Sequence, residues 1–273
     1  MSHPRSAHRR RSLAVVGVLL TALPLGAGWP PSREGGEVRT TLEEADSAYW
    51  AGEPDRSLAL LEDFVRTDPD HYEARWKASR AAVSVALLGE NRDGQRETFD
   101  RGVAHGSEAA RIEPNGVDGL YWLSVAIGRR SFLLSARGSA RAGQEVYDLS
   151  HRILGLDPMN AGAHDALGML AYRVMRLSGF ERFVARTLLG NPALESASLE
   201  IAEQHLKRAV ELDPSWLVPH LDLGRTYLYT DRLDLAEAEL QRAIELPLRH
   251  PGDRKFRQEA LDALGYARSL TKR

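Results

Sequence analysis

The side chains that most often perform catalysis or bind metals are absent or scattered in this chain. No cysteine occurs among the 273 residues, which excludes disulfides, thiolate metal sites and a cysteine nucleophile. The sequence has no H-E-x-x-H pair, no G-x-S-x-G motif and no glycine-rich phosphate loop. We therefore predict no catalytic site, no bound metal and no cofactor. The central histidines are dispersed, at His71, His105, His151, His164, His205, His220 and His250.

Arginine and aromatic side chains are the ones that could perform recognition chemistry here. A guanidinium group can hold a carboxylate or a phosphate with two parallel hydrogen bonds. An aromatic ring supplies a large apolar contact area. Together they would suit an amphiphilic anion or a peptide segment, provided that the fold brings such residues to one surface.

Four copies of one pattern divide the chain into helical units. Each copy follows a proline, which cannot continue the preceding helix. Ten residues later each copy has a very small residue, and two helices can cross closely where one of them lacks side-chain bulk. The register predicts an all-α repeat protein built from helix pairs. The prolines are Pro69, Pro114, Pro158 and Pro214, and the small residues are Ser79, Ser124, Gly168 and Gly224.

The folded domain is expected to begin near Thr40 and to end at residue 273. A flexible linker is expected at 29–39, because that segment contains two prolines and two glycines. A final helix from about Arg254 to Leu270 should cap the open end of the stack. Five helix pairs are predicted between the linker and the final helix. They are 41–50 with 55–67, 72–88 with 96–112, 117–135 with 140–156, a fourth pair that starts near 161 and ends before Pro214, and a fifth pair that follows it.

The fourth pair carries an insert at about 178–198. Its apolar residues include Phe180, Phe183 and Leu188, and Asn191-Pro192 follows them. This pattern predicts a short amphipathic helix and a turn.

The last copy resembles the tetratricopeptide repeat, a helix-turn-helix unit of about 34 residues. Leu223-Gly224, Tyr227, Ala236, Leu240 and Ala243 have the spacing of that motif. The resemblance implies a helical solenoid of about five repeats that binds other molecules.

Four further segments carry a resemblance to a known family. They are Tyr121-Trp122 with Gly128, His164-Asp165-Ala166-Leu167-Gly168, the insert from Phe180-Glu181-Arg182 to Asn191-Pro192, and Ala243-Ile244-Glu245-Leu246-Pro247. With them, about two thirds of the chain, from Arg75 onward, resembles bacterial relatives of the regulator of microtubule dynamics family, a tetratricopeptide group. The resemblance implies an all-helical binding scaffold, and eukaryotic members are associated with microtubules, with membrane contacts and, in one branch, with phospholipid binding.

In such a solenoid the first helix of each pair lines a concave groove. The resemblance therefore implies an inner face that mixes aromatic, aliphatic and arginine side chains. The insert residues Phe180, Phe183 and Leu188 are expected to border this groove. The candidate binding residues are Trp76, Arg80, Tyr121, Arg129, Met169, Tyr172, Arg173, Arg225 and Tyr229.

Two binding hypotheses follow. In the first, a non-catalytic exported scaffold binds a partner protein or peptide through the groove. In the alternative, the groove is closed into an apolar tunnel that carries a lipid or another amphiphilic small molecule. Peripheral membrane association is compatible with either. An insert that covers the groove as a lid would favour the carrier, and an insert exposed on the convex side would favour the scaffold.

The amino terminus predicts export. A basic segment ends at Arg11, an apolar stretch runs from Leu13 to Leu25, and Gly26-Ala27-Gly28 offers small residues for cleavage. The apolar stretch is shorter than the roughly 20 residues that a membrane-spanning helix needs. We expect residues 1–28 to be removed and the protein to be periplasmic, in the cell envelope or secreted. An uncleaved amino-terminal anchor is the alternative.

The overall charge argues against nucleic acid as a partner. The chain is 43% hydrophobic and 27% charged, with a formal net charge of −2, which is ordinary for a soluble protein. Without a basic excess it has no overall attraction for nucleic acid, and no nucleic-acid-binding motif occurs.

Overall fold

Eleven α-helices and one short 3₁₀ helix form the described part of the chain. The structure is a computed structural model that describes residues 33–178 and 195–271, with side chains from Thr40. Within these ranges it contains no strand. The helices are α1 (Arg33–Trp50), α2 (Pro54–Thr67), α3 (Tyr72–Leu88), α4 (Arg92–Ile112), α5 (Val117–Arg130), α6 (Ala136–Leu156), α7 (Ala161–Met175), α8 (Leu199–Leu212), α9 (Leu217–Tyr229), α10 (Leu233–Glu245) and α11 (Asp253–Thr271), and the 3₁₀ helix spans Ser131–Leu133.

The predicted helix pairs are confirmed. They are α1–α2, α3–α4, α5–α6, α7–α8 and α9–α10, and α11 follows as the last helix. The main difference between the predicted and observed boundaries is the start of the first helix. The structure has α1 beginning at Arg33, inside the segment 29–39 that was expected to be a linker. Proline and glycine bias therefore predicted too late a start for the helical domain. No helix of the described residues is both long enough and apolar enough to cross a membrane.

Side-chain caps fix where several of these helices begin. Asn160 accepts a hydrogen bond from the backbone N–H of Ala163 at 3.0 Å, and this bond starts α7. His71 caps α3 in the same way, through Nδ1 and the N–H of Ala74. These local bonds set the register of the inner helices, and hence which of their residues face the groove.

Glycines at the repeat position expected to be small do lie at close helix crossings. A Cβ atom on Gly168 would be 2.6 Å from Cγ of Leu206 in α8. A Cβ atom on Gly224 would be 2.7 Å from Cγ of Leu240 in α10. Both leucines are completely buried. The two helices of each pair can pack this closely only because the first one has no side chain at the crossing.

The last helix does more than cap the stack, because its first turns lie inside the concave groove. His250 lies just before α11, and its Nδ1 atom shares a hydrogen bond with the Tyr49 hydroxyl at 3.0 Å. The His250 ring also packs edge-on against Trp122, with 5.5 Å between the ring centroids. Gly252 lies against Leu87 of α3. Phe256 is buried. The end of the chain therefore closes the groove by contacting the first three inner helices.

We predict that a disulfide can lock this closure. A Cβ atom on Gly252 would lie 3.3 Å from Cβ of Leu87, close to the roughly 3.5–4.5 Å that disulfides require. The natural chain has no cysteine that could mispair. Oxidising a Leu87→Cys/Gly252→Cys variant should form the bond and raise the free energy of unfolding by about 2–4 kcal/mol over the reduced form.

Thermal unfolding with and without reductant measures this effect. A Leu87→Cys/Leu261→Cys variant is the control, because Leu261 lies on the exposed side of the same helix. If the control pair crosslinks as readily as the first, α11 does not lie in the groove.

Candidate functional site

A partly open chamber lies between the inner helices and the start of α11. Its volume is about 120 Å³. The walls are mostly apolar, with Val83 and Leu87 from α3, Val125 from α5 and Leu170 from α7. Phe256 of α11 forms the opposite wall. Side chains of the first helices α3, α5, α7 and α9 thus line this chamber, and the second helix α6 adds Ala142, Gly143 and Val146.

A second and larger pocket adjoins this chamber. Its volume is about 350 Å³, and it shares Arg129, Arg173 and Phe256 with the chamber. Five cationic residues line the pocket, against one acidic residue, Glu259. We call this space the basic pocket and the first one the inner chamber. The cationic residues of the basic pocket are Arg129, Arg173, Arg176, Arg225 and Lys255.

Arg129 and Arg173 have no carboxylate partner among the described residues. Each is the thirteenth residue of its helix, in α5 and α7, so the two occupy equivalent places in consecutive repeats. The Arg129 guanidinium stacks on Phe256 at 4.3 Å from the ring centroid, and that of Arg173 stacks on Phe132 at 3.9 Å. Arg173 also donates a hydrogen bond to Oγ of Ser131 at 2.9 Å.

The environment of Arg173 disfavours its own charge. Burial, and then the positive charge of Arg129, lower the pKa of Arg173. Two cations held beside each other at an apolar wall raise the electrostatic potential there. An anion between them would relieve this repulsion and accept charge-assisted hydrogen bonds.

Two buried carboxyl groups line the inner chamber. Asp222 accepts a hydrogen bond from Arg225 at 3.0 Å, but Asp165 has no hydrogen-bond partner among the described residues, and its Oδ1 atom is fully buried. Burial, and then the charge of Asp222, raise the pKa of Asp165 well above its ordinary value. Burial also raises the pKa of Asp222, although Arg225 and Arg129 oppose the shift.

Tyr121 lies next to Asp165 at the equivalent place in the preceding repeat. Each is the fifth residue of its helix, in α5 and α7. The Tyr121 ring packs directly on Gly162, where a Cβ atom would be 2.2 Å from Cε2 of the ring. Burial, and then the charge of Asp165, raise the pKa of Tyr121. Its hydroxyl group has no hydrogen-bond partner in the part of the chain that the structure describes.

Six of the nine candidate residues line the chamber or the basic pocket. Tyr121, Arg129, Met169 and Arg173 line the chamber, whereas Tyr172 and Arg225 line the basic pocket. Arg225 is already paired, with Asp222 at 3.0 Å and with Glu259 at 2.7 Å.

The other three candidates lie outside both spaces. Arg80 is buried in an ion pair with Asp46 at 2.6 Å, and its guanidinium lies 4.0 Å from the Tyr49 ring centroid. Trp76 packs beside it, 5.4 Å from the same guanidinium. Tyr229 is 48% exposed, and its hydroxyl donates to the carbonyl of Met175 at 3.3 Å. Arg80 thus belongs to the packing of α1 against α3, whereas Trp76 packs against the hydrophobic cluster of α3, α4 and α5 that contains Phe99 and Trp122. The insert residues Phe180, Phe183 and Leu188 lie outside the described residues.

Several residues of the site were not predicted. Phe256, Asp222 and His250 line the chamber. No repeat motif marks Phe256 or His250, because both belong to the end of the chain that turns back into the groove.

The structure also brings His164 of α7 and His205 of α8 together, with their Nδ1 atoms 2.9 Å apart. Within the described residues, no cluster of three or more histidines and acidic residues could hold a metal ion.

Comparison with known proteins agrees with this architecture. The family model for regulator of microtubule dynamics protein 1-3 matches residues 41–267, which is most of the chain. The chain belongs to this family. Regulator of microtubule dynamics protein 1 from Bos taurus is 23% identical over 230 residues, covering 84% of this chain and 71% of the bovine protein. The Mus musculus protein of the same name is 22% identical over 230 residues, covering 84% of this chain and 74% of that protein.

A solved structure shows the same fold. A thermophilic tetratricopeptide protein from Thermus thermophilus superposes with a TM-score of 0.58 at 21% identity, covering 83% of this chain and 98% of that one. Membership of the regulator of microtubule dynamics family and the tetratricopeptide solenoid are therefore both established for this chain.

We predict that Asp165 lowers the stability of the fold at neutral pH. A carboxyl group whose pKa is raised in the folded state keeps its proton where the unfolded chain has lost it. The free energy of unfolding therefore falls as pH rises from about 4, the unfolded value, through the raised folded value. Replacing Asp165 with Asn should add roughly 1–3 kcal/mol of stability at neutral pH, and the gain should shrink under acidic conditions.

Chemical unfolding of the parent and the variant across this pH range measures the effect. Asp262→Asn is the matched control, because Asp262 is an exposed acid on α11. A loss of stability in Asp165→Asn at neutral pH would mean that the carboxylate has a structural partner.

Proposed function

We propose that this protein is a non-catalytic binding protein that holds an amphiphilic anion inside its solenoid. The anionic group would lie in the basic pocket between Arg129 and Arg173, and the apolar part would extend into the inner chamber. Of the two hypotheses drawn from the sequence, the proposal favours the carrier of a small amphiphile over a scaffold that binds a peptide along an open groove.

The observation that carries the proposal is the pair of unpartnered arginines beside an apolar chamber. Buried or half-buried charges in folded proteins are normally paired, and Arg80 and Arg225 follow this rule. Arg129 and Arg173 do not, although Asp165 and Asp222 line the neighbouring chamber. A ligand that supplies a carboxylate or a phosphate would satisfy both guanidinium groups.

The closure of the groove supports a small ligand. The contacts of His250, Gly252 and Phe256 with α3 and α5 occupy the space along which an extended peptide would lie. A peptide could offer the same chemistry only through its terminal carboxylate and a short apolar end. A protein partner that used the convex surface would be independent of both arginines.

We predict that removing the two charges abolishes anion binding without unfolding the protein. Methionine retains most of the apolar packing of arginine, so the test variant is Arg129→Met/Arg173→Met. Each hydrogen bond to a charged group contributes about 1.5–3 kcal/mol, so affinity for a fluorescent long-chain carboxylate should fall by about tenfold or more. Native mass spectrometry should identify a small molecule that co-purifies with the parent and is absent from the variant.

The control for this test changes the same charge elsewhere. Arg111→Met/Arg208→Met removes two arginines whose ion pairs lie on exposed surface. The control should bind as the parent does. If the Arg129/Arg173 variant also binds as the parent does, the anion site is wrongly placed, and a co-purified peptide would favour the scaffold hypothesis instead.

We also propose that the protein is exported, on the basis of the basic and apolar segments from Arg5 to Gly28. Amino-terminal sequencing of the protein purified from its own cells should find a chain that starts near Trp29, in a fraction outside the cytoplasm. An intact amino terminus on a membrane-bound protein would favour the uncleaved anchor.

A further inference from the structure

The inner chamber contains polar groups that an apolar ligand tail would leave without partners. Asp165 and Tyr121 both line the chamber, and the structure gives neither side chain a hydrogen bond within the described residues. Of the two, Asp165 has the fully buried polar atom without a partner, Oδ1, whereas Tyr121 is half-buried. Asp165 is only 7% exposed. A buried polar group without a hydrogen bond is costly, so native proteins rarely retain one without a reason.

The two groups form one subsite by their position in the repeats. Tyr121 and Asp165 are the fifth residues of α5 and α7, and Arg129 and Arg173 are the thirteenth residues of the same two helices. Equivalent residues of consecutive inner helices lie side by side in a solenoid. The chamber therefore has two levels, one with Tyr121 and Asp165 and one with the two arginines.

The distance between the levels follows from helix geometry. Eight residues at 1.5 Å each separate them by about 12 Å along the helix axes. Side chains at both levels lean toward the amino-terminal end of their helices, so this tilt changes their separation little. About 12 Å is therefore the approximate spacing of the two polar subsites along the helix axes.

We propose that the natural ligand carries a second polar group, an uncharged hydroxyl or carbonyl oxygen, that hydrogen-bonds with Asp165 and Tyr121 within about 12 Å of its anionic group. This inference rests on the proposed function, since it concerns the same ligand. An uncharged group fits better than an ammonium group because burial, and then the charge of Asp222, raise the pKa of Asp165 against the opposing charge of Arg129 and so favour the neutral form of its carboxyl group. A protonated carboxyl group and a tyrosine hydroxyl can each donate to an oxygen.

The test compares fatty acids with their ω-hydroxy derivatives. Hexanoate, octanoate and decanoate would be titrated into the full-length protein by calorimetry, each alongside its ω-hydroxy form, so that the spacing of the two polar groups varies. At least one hydroxy acid should bind about tenfold more tightly than the fatty acid of the same length, because the plain fatty acid leaves the polar groups of the subsite without hydrogen bonds.

Two variants assign the preference to the subsite. Asp165→Leu and Tyr121→Phe should each abolish the preference for the hydroxy acid, measured in each variant as the ratio of its affinity to that of the plain fatty acid. Tyr121→Phe removes one oxygen atom and keeps the ring that packs on Gly162, so it remains informative if the leucine variant does not fold.

The outcomes separate this inference from the proposed function. If fatty acids bind through Arg129 and Arg173 but no hydroxy acid is preferred, or if the preference survives in both variants, the oxygen subsite is wrong while the anion site stands. If neither series binds, or if binding is indifferent to Arg129→Met/Arg173→Met, the proposed function fails and the subsite fails with it.

Discussion

The contact between the start of α11 and the inner faces of α3 and α5 covers part of the helical groove. An open solenoid exposes its inner face to water, which solvates any charged side chain there at little cost. His250, Gly252 and Phe256 pack against Trp122, Leu87 and Arg129 and so shield part of that face from water. The charges on the inner helices then interact in a medium of lower dielectric constant, and an unpaired charge becomes costly.

The inner face meets this cost in two different ways. Arg80 and Arg225 each pair with an acid 34 residues away, Asp46 and Glu259, which is one repeat length. Arg129 and Arg173 have another arginine at the equivalent position of the neighbouring repeat, so they repel each other and stack on phenylalanine rings instead. The same superhelical geometry thus produces a structural ion pair where the neighbour is an acid, and two cations without a carboxylate partner among the described residues where it is an arginine.

The chamber likewise combines close packing with a buried polar group that packing alone does not explain. Glycines at the helix crossings make the packing of each pair closer, and their neighbours Leu206 and Leu240 are fully buried. Asp165 lies a few residues from Gly168 on the same helix, yet it has no hydrogen-bond partner in the ranges that the structure describes. Natural proteins tend to break the rules of stable packing at sites where function requires it. The position of Asp165 beside the unpartnered arginines fits that expectation.

Local sequence features predicted most of the fold. Prolines end helices, small residues permit close crossings, and capping residues such as Asn160 start helices, and each of these effects acts over a few residues. For this reason the helix pairs, the last helix and the lining of the groove by first helices were predictable. The start of α1 at Arg33 was not, because proline and glycine bias indicated a linker over that segment.

The site itself was only partly predictable. A repeat register predicts which side chains lie on the inner face of a helix, but it does not predict which other side chains they contact. The register placed Arg80 with Arg129 and Arg173, but the nearness of Asp46 and Tyr49 to Arg80 depends on how α1 packs on α3. By itself the sequence determined the helices, their pairing and their inward faces, because these follow from short-range sterics and periodicity. Only the tertiary structure decided that the chain end closes the groove, which arginines remain unpaired and which acid is left without a partner, because these outcomes depend on contacts between residues distant in sequence.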